Sequence, residues 1–153
     1  KSLKMKKINF STMKKFKVMT LAFSTIAISA FGQTIEEAKK AIDAEQYEKA
    51  KSQLKSIVSA KSSDGRAAFM LGNVYLKQNL ADSAKIYFQR GTTAQDAGKL
   101  NLIGLGQIEL DNGNTAAAES FFNQALKDIR KKDTEELVQV ARAYMNADKP
   151  DYK

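Results

Sequence analysis

One residue pattern recurs along the chain at a fixed interval of 34 residues. Three copies can be aligned without insertion: AKKAIDAEQYEKAKSQLKSI from Ala38, GNVYLKQNLADSAKIYFQRG from Gly72, and GQIELDNGNTAAAESFFNQA from Gly106. Within each copy the apolar residues lie three or four apart, as on one face of a helix. Short polar breaks, AEQ, KQN and DNGN, divide each copy into two parts. The interval therefore predicts one helical hairpin per copy.

The same alignment predicts the helices and the residues that pack between them. Helices are expected over residues 34–45, 47–61, 65–79, 81–95, 98–111, 115–131 and 134–147. A partial fourth copy, ARAYMNADKPDYK, places Tyr144 opposite Tyr75 after one extra residue. Small residues at recurring positions let two helices approach closely, and bulky residues fill the adjoining space. The predicted packing residues are Ala38, Ala50, Leu54, Leu71, Gly72, Tyr75, Ala84, Phe88, Leu105, Gly106, Ala118, Phe122, Ala125 and Tyr144.

The second copy, with Leu71, Gly72, Tyr75, Ala84 and Phe88, resembles the tetratricopeptide repeat family. The third copy keeps most of this pattern, whereas the first keeps only the second-helix residues at 50 and 54. No copy has the first-helix Trp of the family, and the repeat-ending Pro is missing from all three. The resemblance covers about residues 34–153 and implies an all-α fold. That fold is an α-solenoid of stacked antiparallel helix pairs, with three repeats and the start of a fourth. The alternative is a plain helical bundle whose spacing is accidental.

The resemblance also implies where a partner would bind. First helices of this family line a concave face that commonly binds extended peptides or partner helices. The residue after each small first-helix position should face that groove, which predicts partner-binding residues at Lys39, Asn73, Gln107 and Arg142. The alternative is that these are ordinary solvent-facing polar positions. Two apolar rows are open to either a groove or a core interpretation: Ile35, Phe69, Ile103 and Val138, and then Ile42, Leu76, Leu110 and Met145.

The residue types that are missing argue against catalysis. The chain has no His and no Cys, so it lacks the usual neutral-pH general base, thiolate chemistry and the commonest zinc ligands. We predict a protein that is not an enzyme, with no catalytic residues, no metal site and no cofactor.

The net charge of +8 belongs almost entirely to the N-terminal end. Seven of the 25 Lys and Arg residues precede residue 18, and the first acidic residue is Glu36. From Gln33 onward 18 basic residues face 17 acidic ones. This nearly neutral body gives no electrostatic reason to expect nucleic-acid binding. The expected partner is a protein or peptide.

Residues 13–32 have the order of a secretory signal peptide. Three lysines follow Met13, the uncharged and mostly apolar run Val18–Phe31 comes next, and Gly32 precedes Gln33. The run is short for a bilayer span, which needs about 20 residues. An uncleaved anchor and a buried helix are the alternatives. Residues 1–12 are predicted to be extra upstream sequence, and residues 33–153 form the predicted solenoid.

These features predict an exported, non-catalytic scaffold in a bacterial periplasm or cell envelope. It would touch the membrane only through its transient signal peptide and would bind a protein or peptide in its groove. The fourth unit stops at KPDYK, so the solenoid is predicted to be truncated at its C-terminal end. In the alternative, the solenoid is the N-terminal interaction module of a longer envelope enzyme or signalling receptor. The sequence sets neither the partner nor the oligomeric state.

Overall fold

The described part of the chain is built from helices and has no strand. The structure is a computed structural model of the 153-residue chain and describes residues 35–127, 129–130 and 134–147. The prediction of an all-α fold is confirmed. Its helices are α1 (35–43), α2 (Tyr47–Ala60), α3 (Gly65–Lys77), α4 (Ala81–Gly91), α5 (Gly98–Asp111), α6 (Thr115–Leu126) and α7 (Thr134–Ala147). The predicted signal peptide (13–32) and the predicted extra residues (1–12) lie outside the described residues.

The helices stack as repeating pairs. Helix α3 packs on α4 and α5 packs on α6, each pair being joined by a short turn. Across the pairs, α3 also contacts α5, and α5 contacts α7, so that the first helices lie side by side. Helix α4 fills the angle between α3 and α5. This arrangement confirms the predicted solenoid.

The turns inside the pairs repeat the same backbone geometry. Glu45, Asn79 and Gly113 have φ values of 56°, 59° and 78°, the left-handed region that ends many helices. In each turn the next amide donates to a carbonyl five residues earlier, from Gln46 to Ala41, Leu80 to Tyr75 and Asn114 to Glu109, at 2.8–3.0 Å. All three sets lie 34 residues apart. The period read in the side chains is therefore also present in the main chain.

Apart from Tyr144, the predicted packing residues are buried. The recurring second-helix positions Ala50, Ala84 and Ala118 have no exposed surface, and Leu54, Phe88 and Phe122 have at most 3%. The recurring first-helix glycines are also buried. Tyr144 is 39% exposed, although its ring lies against that of Phe122 with centroids 5.4 Å apart.

Glycines let the buried rings lie directly against neighbouring helix backbones. A Cβ on Gly72, in the same helix pair, would overlap the Phe88 ring, and so would a Cβ on Gly104 in the next pair. A Cβ on Gly106 would likewise overlap the Phe122 ring. Phe88 therefore fixes the distance between α3 and α5, because its ring occupies the space where two side chains would otherwise be.

One buried polar side chain joins successive pairs. Asn101 in α5 has no exposed surface, and its Nδ2 donates to the carbonyls of Gly65 at 2.9 Å and Ala97 at 2.8 Å. A Cβ on Gly91 would overlap the Asn101 amide, so the end of α4 leaves just enough room for it. Its Oδ1 is buried without a hydrogen-bond partner among the described residues, so the two bonds donated by Nδ2 alone hold the amide in place. Asn101 thus ties the start of α3 to the start of α5.

The packing of Phe88 can be tested by substitution. We expect Phe88→Ala to lower the free energy of unfolding by about 3–5 kcal/mol, since it leaves a cavity between two helix pairs. Phe121→Ala is the matched control, because Phe121 is only half-buried at the edge of the core. It should cost clearly less. Urea denaturation followed by far-UV circular dichroism measures both, and equal losses would contradict the role given to Phe88.

Candidate binding groove

A groove runs across the first helices of successive pairs. Its volume is about 640 Å³, and it is lined by α3, α5 and α7, with Ile42 contributing from α1. The groove exists because α3, α5 and α7 lie side by side while the second helices of the pairs lie behind them. Residues one repeat apart therefore follow one another along its length.

Three of the four predicted partner-binding residues line this groove together. Asn73 lies on α3, Gln107 on α5 and Arg142 on α7. Lys39 is not among the lining residues; its Nζ is 2.7 Å from Glu36 Oε1 on the same helix. The structure thus brings together the three polar positions on the later units and leaves the first unit's lysine apart. Whether they bind a partner stays a prediction.

The two apolar rows divide between core and surface. Phe69 and Ile103 are buried, with 6% and 3% of their surface exposed, although both border the groove. Ile42 and Leu76 are half-buried and form apolar parts of its wall. Val138 on α7 is exposed. In the first row, Phe69 on α3 and Ile103 on α5 therefore belong to the core, whereas Val138 on α7 does not.

Several polar side chains in the groove have no partner within the described part of the chain. Asn73, Lys77 and Arg142 make neither a hydrogen bond nor an ion pair with any described residue, and the same holds for Gln139 and Asn146. Amides supply both donors and acceptors, and the two cations supply further donors. The groove therefore offers unused hydrogen-bonding groups on its two outer helices, α3 and α7.

One acidic side chain lies among these groups. Gln107 Nε2 donates to Asp111 Oδ1 at 2.5 Å. Burial raises the pKa of the Asp111 carboxyl above its ordinary value, and the hydrogen bond from Gln107 opposes that shift. Desolvation disfavours the ionised carboxylate, so this penalty is absent below the ordinary pKa and lowers the stability of the fold as the pH rises through the raised value. The lining of the groove has a net positive charge, because Lys77 and Arg142 together outweigh Asp111.

Other kinds of site were sought in the same residues. Among the described ranges no three His, Cys, Asp or Glu side chains cluster as metal ligands. None of the helices described is both long enough and apolar enough to cross a bilayer.

Sequence reasoning missed two polar contacts between units. One is the buried Asn101, which a polar residue inside the apolar run LNLIGLG could have signalled. The other is an ion pair between Arg66 on α3 and Glu135 on α7. No periodic signal marks that pair, because its two members are different residue types at equivalent positions.

Comparison with known protein families agrees with this architecture. A family model described as Tetratricopeptide repeat matches residues 35–99, and a second one with the same description matches residues 101–127. Together they cover more than half of the 153-residue chain. No curated protein matches the chain. The helix pairs, their 34-residue interval and the two matches agree: the chain belongs to the tetratricopeptide repeat family.

Proposed function

We propose that this protein is an exported, non-catalytic scaffold that binds a protein or peptide through the groove lined by α3, α5 and α7. Repeats of this family typically serve as protein-interaction scaffolds rather than as catalysts. The observation that carries the proposal is the row of uncommitted side chains, Asn73, Arg142 and their neighbours, along one open groove.

The chemistry of the groove favours an extended segment of polypeptide as its occupant. Asn73 and Gln107 occupy equivalent positions on adjacent first helices, so their amides can bond main-chain groups about three residues apart in a strand-like peptide. Ile42 and Leu76 add apolar wall against which side chains of the partner can pack. Lys77 and Arg142 favour a partner with acidic groups, since charge-assisted hydrogen bonds are stronger than neutral ones.

Loss of the two groove amides tests this proposal. In the double variant Asn73→Ala/Gln107→Ala, we expect captured partners to bind roughly tenfold more weakly, because each lost hydrogen bond contributes about 0.5–1.5 kcal/mol. The measurement is pull-down from envelope extract with quantitative mass spectrometry, followed by titration of each recovered protein.

The matched control changes the same residue types on another surface. Asn123 and Gln124 are exposed on α6, which is the second helix of its pair and does not line the groove. Asn123→Ala/Gln124→Ala should retain the partners that the groove variant loses. Equal capture by both double variants would contradict the proposal, because it would mean that the partners bind another surface.

The proposal of export is supported by residues 13–32. A basic start, a 14-residue apolar run and small residues before Gln33 follow the order of a signal peptide. Export would place the scaffold in a bacterial periplasm or cell envelope. A chain without Cys would then depend on helix packing alone for stability, because no disulfide can form.

Cleavage of this segment gives a direct test of export. We expect mature protein from the envelope fraction to begin at or near Gln33, as measured by mass spectrometry of its N-terminal peptide. Ile26→Arg should block export, since a charge in the centre of an apolar segment costs about 2.5–3.5 kcal/mol on insertion scales. Ile8→Arg, which adds the same charge outside residues 13–32, is the control. Mature protein that retains Met13 would disprove export by cleavage.

A further inference from the structure

An ion pair joins two first helices that are not neighbours. The Arg66 guanidinium at the start of α3 donates from both Nη atoms to the Glu135 carboxylate in the first turn of α7, with Nη2 3.0 Å from Oε2. The two residues are 69 positions apart, which is two repeats including the extra residue of the fourth copy. Helix α5 lies between their helices and packs on both.

This pair joins the two outer helices of the groove, α3 and α7, at positions that precede the groove-lining residues of both helices. Asn73 and Arg142 line that groove and are also 69 positions apart. They lie about two helical turns further along the same two helices. Within the described residues, Arg66 and Glu135 make the hydrogen bonds that link the side chains of α3 to those of α7. A change in their separation therefore changes the distance between the groove walls.

Arg66 is held firmly at its main chain. The amides of Gly65 and Arg66 donate to the Asp96 carboxylate at 3.0 and 3.2 Å, and Asn101 Nδ2 donates to the Gly65 carbonyl. The loop before α5 thus fixes the start of α3. Helix α7 packs extensively on α5 but only lightly on α6. Among the contacts of the described residues, the α7 end of the ion pair has the fewer restraints.

The charges around the pair favour its formation at neutral pH. The hydrogen bond from Arg66 lowers the pKa of the Glu135 carboxyl, and the charges of Arg66 and Lys39 lower it further, so Glu135 is ionised at neutral pH. Asp96 and Glu136 add negative charge near Arg66. Both partners are partly open to water, with 37% and 46% of their side-chain surfaces exposed. Dissolved salt can therefore screen their attraction.

We propose that Arg66 and Glu135 form a salt-sensitive clasp that holds α7 towards α3 and sets the width of the groove. When the clasp is formed, the walls of the groove are held at the observed separation. When it is broken, α7 pivots on α5 and the groove widens. The packing between α5 and α7 stays in place in both states, so opening does not require unfolding.

The absence of Cys allows the width to be measured directly in the full chain. Asn73→Cys and Arg142→Cys place two spin labels on opposite walls, and pulsed electron paramagnetic resonance gives the distance between them. Arg66→Gln, Glu135→Gln and the double variant are each made in this labelled chain. We expect all three to lengthen the mean distance by roughly 1–2 Å or more, the scale of helix shifts at interfaces. The double variant should match the single ones, because either change alone breaks the pair.

A control and a salt series separate the clasp from general loosening. Glu136→Gln removes the same charge one residue along and leaves the hydrogen bonds of Arg66 intact, so it should keep the wild-type distance. Between 0.15 and 1 M salt the Debye length falls from about 8 to about 3 Å, so the wild type should approach the variants while the variants stay unchanged. Circular dichroism checks that every variant is folded. The clasp would be overturned if the folded variants kept the wild-type distance, or if the two single effects added in the double variant. It would also be overturned if Glu136→Gln shifted the distance equally, or if the wild-type distance did not depend on salt.

Discussion

The contact of the Phe88 ring with two glycines sets the geometry of the solenoid. The ring is fully buried between Gly72 of its own helix pair and Gly104 of the next, and neither position has room for a Cβ. Because the ring fills this space, the separation of α3 and α5 is fixed by one side chain. Gly106 on α5 lies against the Phe122 ring in the same way, so this packing recurs in the next helix pair. The alignment of Asn73 with Gln107 along the groove depends on this step, since it places equivalent residues of successive first helices side by side.

The parts of the structure that the sequence predicted are those that recur. The positions of the helix pairs, the buried second-helix alanines and the turns at Glu45, Asn79 and Gly113 all follow from one interval. Helix ends were predicted less well. Helix α4 was expected to reach residue 95 but ends at Gly91, where the Asn101 amide occupies the adjoining space; α6 was expected to reach 131 but ends at Leu126. An apolar pattern shows which face of a helix is buried, but it holds little information about the last turn.

The contacts that the sequence did not predict are those that occur once. Gly104 has no glycine at the equivalent positions of the other copies, so the alignment could not identify it as the second wall around Phe88. Asn101 occupies the position that Ala67 has in the previous unit. The pairing of Arg66 with Glu135 depends on how strongly the stack curves over two steps, and curvature is a sum of small rotations between units. In the groove the same limit applies: the period placed Asn73, Gln107 and Arg142 correctly on one surface, but it could not tell that Lys39 lies apart from them.

Two kinds of interaction with different responses to solvent therefore shape the groove. The step between helix pairs rests on buried apolar contacts such as Phe88 with Gly72, which dissolved salt does not screen because no charge takes part. The distance from α3 to α7, taken over two steps, also includes an exposed pair of opposite charges, which salt does screen. A change of ionic conditions can thus act on the second distance and leave the first unchanged. The packing that keeps the protein folded and the contact that sets the width of its groove are physically separable, because they lie in different residues and depend on different forces.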